Sequence, residues 1–181
     1  MKKILCLLVL LLLVTGCGMK MESTPREKVE DWMSNYQMYD DSITGRLKDF
    51  LDGQELEEET RKEYQNVLEK QHQNLSYNIL SEDIDEDKAT VEVEIEVLDY
   101  YSSFNKSRNY FKEHQEEFMD SVVEEQDIDN LKEFIEYKIK ELSKVNEKTK
   151  YNITFHLIKV DNDWEIEDVD QDTFLKMYGL Y

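Results

Sequence analysis

The chain has 181 residues, with 42 Asp or Glu against 22 Lys or Arg and a formal net charge of −20 at pH 7. A surface so acidic repels phosphate backbones and anionic headgroups, which argues against nucleic-acid binding and against a folded face lying flat on a membrane. At 40% hydrophobic and 11% aromatic residues, with one proline and five glycines, it has the material for one packed core and little for low-complexity linkers.

Met1-Lys2-Lys3 precedes an apolar run from Ile4 to Val14 and then Thr15-Gly16-Cys17. The charged start, short apolar core and small-residue exit form a secretory signal. The run is shorter than the roughly 20 apolar residues a transmembrane helix needs. Val14-Thr15-Gly16-Cys17 resembles the bacterial lipobox, with valine where leucine is commoner. That resemblance implies cleavage after Gly16, a diacylglyceryl group on the Cys17 sulfur, and anchoring by acyl chains; two such chains hold a protein stably where one does not. The expected division is a signal peptide over 1–16, the lipidated cysteine and tether over 17–24, and a single domain over 25–181. Cys6 leaves with the signal and Cys17 is alkylated, so the mature domain keeps no thiol for a disulfide, a metal or a nucleophile. Loss of Lys2 and Lys3 takes the formal charge from −20 to −22.

Thr24-Pro25 reads as a helix cap followed by a first-turn proline, and Val29, Trp32, Met33 and Tyr36 recur at helical spacing to about Tyr39. A second helix carries Ile43, Leu47, Phe50 and Leu51 and stops at Gly53. A third runs from about Leu56 to Gln73, with Tyr64, Val67, Leu68 and His72 facing inward. The period then drops to two: Val91, Val93, Ile95 and Val97 alternate with Glu92, Glu94 and Glu96, a strand with one buried face. Ser76–Ser81 is its expected hairpin partner across Glu82–Lys88, and Tyr100, Tyr101 and Phe104 are expected to extend the second strand. Two helices follow, over about Lys106–Glu124 and Ile128–Asn146, parted at Gln126-Asp127; Leu131, Phe134, Ile135, Ile139 and Leu142 make the second amphipathic. Tyr151, Ile153, Phe155 and Leu157 alternate again, Asp161-Asn162-Asp163 turns, and Trp164, Ile166 and Val169 return. A short helix with Phe174, Leu175 and Tyr178 closes the chain. The order predicts an α+β fold, with N-terminal helices on a curved antiparallel sheet of two hairpins and a helical pair inserted between them.

Thr24-Pro25-Arg26-Glu27-Lys28-Val29-Glu30-Asp31-Trp32-Met33 after a lipobox, with Ala89-Thr90-Val91-Glu92-Val93 and Lys159-Val160-Asp161-Asn162-Asp163-Trp164-Glu165-Ile166, resembles Gram-positive lipoproteins with a nuclear-transport-factor-two-like (cystatin-like) domain. The resemblance implies a cone in which a curved sheet wraps a helix, at the extracytoplasmic face of the cell membrane. It names no chemistry, because that fold hosts enzymes, binding proteins and interaction modules alike.

Candidate chemical groups are few. His72, His114 and His156 have no second histidine at metal-ligand spacing, and His156 falls on the polar phase of its strand. Asp83, Asp85, Asp87 and Glu94 match EF-hand spacing, but Lys88 stands where the loop glycine is required and Glu94 lies in a strand. Tyr100, Tyr101, Tyr110 and Tyr151 are the hydroxyls that a cone-fold enzyme would draw on. No catalytic residue, metal or cofactor is assigned; the one assigned site is Cys17. The expected function is a lipid-anchored, non-enzymatic module that binds a protein partner or small ligand. The alternatives are a cone-fold enzyme with an acid or base in its cavity and an accessory subunit of a membrane complex. A cavity filled by Trp32, Phe111 or Phe155 speaks against the enzyme.

Overall fold

The computed structural model describes residues 23–38, 41–53, 56–119, 128–129 and 131–181. The signal, Cys17, Gln126 and Asp127 lie outside them. Helix α1 (Pro25–Met38) starts at a reciprocal cap. The Glu27 amide donates to Thr24 Oγ1 at 3.1 Å and the Thr24 amide to Glu27 Oε2 at 2.8 Å, which satisfies two amides that no helical carbonyl reaches. Val29, Met33 and Tyr36 are fully buried beneath it, each contributing about 1.5–3 kcal/mol of transfer free energy. Helix α2 (Asp41–Asp52) buries Leu47 and Leu51 and ends at a turn on Gly53. Helix α3 (Glu58–Asn74) follows.

Strands β1 (Ser76–Asp85), β2 (Lys88–Leu98), β3 (Lys148–Val160) and β4 (Asp163–Ile166) form one open antiparallel sheet in the order β1-β2-β3-β4. Its inner face carries Val91, Val93, Ile95, Val97, Ile153, Phe155 and Leu157, all buried, while Glu92, Glu94 and Glu96 look outward. Helices α1, α3 and helix α6 (Gln171–Met177) cover the inner face, and α2 packs on α3. Between β2 and β3 stand helices α4 (Tyr100–Glu113) and α5 (Lys132–Ser143), which pack on each other and on α3. The α+β arrangement of two hairpins with an inserted helical pair is therefore present.

Several boundaries differ from expectation. β1 continues to Asp85, so the turn is only Glu86-Asp87, with Glu86 at φ 54. A bulge at Leu80 explains the lost periodicity: Ile79 pairs with Val93 but Ser81 with Glu92, and the extra residue shifts the phase of everything after it. Glu82, now opposite Val91, accepts from the Arg26 amide at 3.0 Å and joins the sheet edge to the start of α1. Asp163 belongs to β4, because the two-residue turn Asp161-Asn162, at φ 50 and 66, has the type I′ twist that matches a hairpin. Tyr100, Tyr101 and Phe104 stand on α4 and not on an extended β2. Asp99 is the reason: its carboxylate accepts from the Ser102 amide at 3.0 Å and starts a helix there. The first inserted helix accordingly begins before Lys106 and ends at Glu113, followed by a 3₁₀ turn over Gln115–Glu117.

Among the described residues three apolar clusters result. One joins α1 to the sheet, a second gathers Leu47, Leu51, Tyr64, Val67, Leu68, Leu98, Tyr100, Ile139 and Leu142, and a third holds Phe111, Ile128 and Phe134. Changing Val93 to Asp should cost several kcal/mol, since it buries an unpaired charge. Glu94→Gln, which loses only an exposed contact to Lys150, should cost about 1 kcal/mol or less. Denaturant titration of the two variants checks the strand phase.

Candidate functional site

The most constrained polar group in the fold lies where β2 leaves the sheet. β1 reaches β2 only as far as Glu96, so the backbone of Leu98 has no strand partner on that side. The Gln71 side chain supplies one. Its Nε2 donates to the Leu98 carbonyl at 2.9 Å and its Oε1 accepts from the Leu98 amide at 2.8 Å. Gly179, at φ +67, passes so close that an added Cβ would sit 2.0 Å from the Leu98 oxygen and 2.4 Å from Gln71 Nε2. The Gly179 carbonyl in turn accepts from the Tyr101 amide at 2.6 Å.

His72, the next residue, is fully buried. Its Nδ1 lies 3.1 Å from the Tyr36 carbonyl; a carbonyl only accepts, so Nδ1 carries the proton. The ring lies 4.1 Å from that of Tyr36 and 5.5 Å from that of Tyr178. Burial pushes the His72 pKa down to about 4, against smaller upward contributions from the Tyr36 carbonyl and Glu69. Burial, with Tyr178 beside it, raises that of Tyr36. Expected at an inward or edge position, His72 is wholly interior.

The remaining candidates do not converge. His114 ends α4, stacked 4.2 Å over Tyr110, and His156 is exposed on the outer sheet face. The Tyr100 hydroxyl donates to the Val67 carbonyl at 2.7 Å, that of Tyr110 to Glu117 at 2.9 Å, and that of Tyr151 to the Tyr181 carbonyl at 2.6 Å; Tyr101 is half exposed. Asp83 and Asp85 sit opposite Thr90 and Lys88, whereas Glu94 sits opposite Asn78. Six residues of strand separate Lys88 from Glu94, about 20 Å, so the EF-hand spacing does not fold into a loop. Among the described residues no group of three metal-ligating side chains comes together. The space between α1 and the sheet is filled: Trp32 meets Phe155 edge-on at 5.1 Å and stacks on Tyr36 at 5.7 Å. Phe111, the third expected filler, packs elsewhere, against Phe134 at 5.3 Å.

Concave surface occurs instead on the helical side. An apolar groove of about 410 Å³ lies between α2, α3 and α6, lined by Leu47, Phe50, Leu68, Phe174, Leu175 and Tyr178. A polar groove of about 700 Å³ lies between α3 and α5. Sequence reasoning missed Gln71, although its position was legible: it falls on the inward stripe of Tyr64, Val67, Leu68 and His72, where a polar residue must find a buried partner.

No protein-family model matches the chain, and no curated protein matches it. Among solved structures it is similar to that of a Bacillus subtilis subsp. subtilis strain 168 protein assigned as a lipoprotein, ycdA. The identity is 16% and the TM-score 0.44, over 88% of this chain and 47% of that one. This chain spans about half the length of that structure, and a likeness of that size establishes neither a shared family nor a shared chemistry. Among the described residues no helix is long and apolar enough to cross a membrane.

His72 makes acid stability testable. With a folded pKa of about 4 and an unfolded one near 6.5, the unfolded chain takes up the proton first. Stability should therefore fall as pH drops from about 6.5 to about 4, by on the order of 3 kcal/mol. In His72→Gln that loss should be absent, so its deficit relative to wild type at pH 7 should narrow at pH 4; an unchanged gap would show that His72 is not held neutral. Gly179→Ala should lower the melting temperature by far more than Gly45→Ala, because a Cβ at Gly45 meets nothing within 4 Å.

Proposed function

We propose that the chain is an extracytoplasmic, lipid-anchored module of the cell membrane that binds a protein partner or small ligand and carries out no catalysis. The observation that favours a non-enzymatic reading is the packing of Trp32, Tyr36 and Phe155 between α1 and the sheet. A cone-fold enzyme keeps its acid or base in that interior, and here aromatic rings take up the room. His72, beside them, is neutral across physiological pH and bonded to backbone, a structural use of a titratable group. Grooves on the helical side are open to a binder.

The anchoring half rests on Lys2-Lys3, the apolar run to Val14 and Thr15-Gly16-Cys17. A tether over 18–24 spans at most about 25 Å and keeps the domain near the bilayer, while its acidity keeps the folded surface off anionic headgroups. The nuclear-transport-factor-two-like reading belongs to the same proposal, supported by the capped first helix lying across an antiparallel sheet; in this chain the cone's interior is a packed core.

Metabolic labelling with an acyl-chain probe tests the anchor. Wild-type protein should label and be cleaved at the Gly16–Cys17 bond, whereas Cys17→Ala should neither label nor be processed there. An unmodified mature N-terminus after Thr24, or retention of the whole leader in wild-type protein, would overturn the lipoprotein assignment and the localisation with it.

A further inference from the structure

The open sheet ends at β1 on one side and at β4 on the other. β4 is only four residues long and lies against α1, whereas β1 has ten. Among the described residues β1 pairs with β2 alone, and the backbone along its other edge bonds no main chain. The start of α1 covers the upper part of that edge, where Arg26 Nη2 donates to the Ile79 carbonyl at 3.4 Å and the Arg26 amide to Glu82 at 3.0 Å. Past the bulge at Leu80, Ser81 to Asp85 keep an unbroken register with β2, and every side chain from Leu80 to Asp85 is exposed.

A strand edge of this kind is a template for another strand, and charges along it guard against pairing between copies. That accounts for Asp83 and Asp85 without any partner, because a second β1 laid alongside would set carboxylate against carboxylate. It does not account for the aliphatic residues. Leu80 is 45% and Ile84 53% exposed, and an edge kept only for solubility has no use for either. Ile84 sits opposite Ala89, on the phase of the buried face, while Asp83 and Asp85 sit opposite Thr90 and Lys88 on the outer phase. The apolar face of the sheet therefore runs on to the β1 edge and stops there uncovered, with acids on its other side.

We propose that the free edge of β1 from Leu80 to Asp85 takes an added strand from a partner protein, an extended segment that alternates basic and apolar residues. Main-chain hydrogen bonds to β1 supply the attachment, and side chains at every second position supply the selection. In the added strand, Lys or Arg opposite Asp83 and Asp85 meets a carboxylate at cross-strand distance, and an apolar residue opposite Ile84 continues the inner face. The charge of −20 draws such a segment in and turns away a second copy of this chain. The proposal rests on the binding-module reading and places the partner on the sheet edge.

Titration of the full chain in detergent with a peptide of alternating Lys and Val, as long as β1, tests it, with amide hydrogen exchange reporting where the peptide lies. Saturable one-to-one binding is expected, with new protection confined to the amides of Leu80 to Asp85 and a loss of affinity at high salt. A peptide of alternating Glu and Val should not bind. The Lys-Val peptide with proline at two central positions keeps the charge but cannot pair as a strand, and it should bind at least tenfold more weakly. Asp83→Asn combined with Asp85→Asn should cost tenfold or more and Ile84→Ser several-fold, whereas Glu133→Gln on α5 should change nothing; melting curves show that each variant is folded. Absence of saturable binding, equal affinity for the proline peptide, protection elsewhere in the chain, or self-association of the protein through β1 would each overturn the proposal. Acyl labelling at Cys17 is independent of this titration, so the edge and the anchor fail separately.

Discussion

The fold depends on the pair of hydrogen bonds between the Gln71 side chain and the backbone of Leu98. A strand that ends inside a protein leaves an amide and a carbonyl that water cannot reach, and an unmet pair there costs a large part of a domain's net stability. A primary amide is the side chain that can both donate and accept as a neighbouring strand would. By using one from α3, the chain ties a helix to the sheet at a set register, and Leu98 becomes shared property: β2 belongs to the sheet cluster and Leu98 to the helical one. Gly179 follows from that choice. The chain after α6 crosses over the same two hydrogen bonds, and any side chain at that point would displace them.

Everything on the helical side is hung from this tie. Asp99, directly after Leu98, caps α4 and turns the chain away from the sheet, so the inserted pair packs against α3 and leaves the outer face of the sheet to solvent. That division determines where ligands have access. The sheet and α1 close on rings, with Trp32, Tyr36 and Phe155 excluding water from the interior. The helices meet less completely: a groove between α3 and α5 is lined by buried Val67 and Ile139 and by Glu59, Glu63 and Lys140. Lys138 shows the same economy in the helical layer: its ammonium lies 5.2 Å from the Tyr64 ring and 5.9 Å from that of Phe104. Burial lowers its pKa, and the π faces of these rings offset part of that desolvation by attracting the ammonium.

The acidity of the chain is distributed, not concentrated at one catalytic point. Glu94 and Glu96 meet Lys150 and Lys148 across the outer sheet face, and Lys28 meets Asp163 at the second hairpin turn. These are exposed pairs, each worth a fraction of a kcal/mol. Their larger effect is collective, since a net charge of −20 sets up a field that draws cations from beyond contact distance and keeps like-charged surfaces away.

Much of this was legible in the sequence because it depends on local rules. The Thr24-Pro25 start, the odd-numbered apolar face from Val91 to Val97, the alternation from Tyr151 to Leu157, and a turn within Asp161-Asn162-Asp163 are read from periodicity and turn chemistry, which need no knowledge of neighbours. The expectation of a secretory leader ending at Cys17 likewise comes from the sequence alone, since it rests on the order of charged, apolar and small residues from Met1 to Cys17. What only the tertiary structure decided involves residues far apart in the chain. The Leu80 bulge moved Glu82 to the inner face and onto Arg26; Gln71, Leu98 and Gly179 met; and Thr60 and Glu63 came to face Glu136 across a groove. A bulge inserts a residue without changing composition, a buried glutamine looks like any polar residue until its partner is known, and a groove belongs to two helices at once. Periodicity reports which face of an element is buried, but only packing decides what that face is buried against.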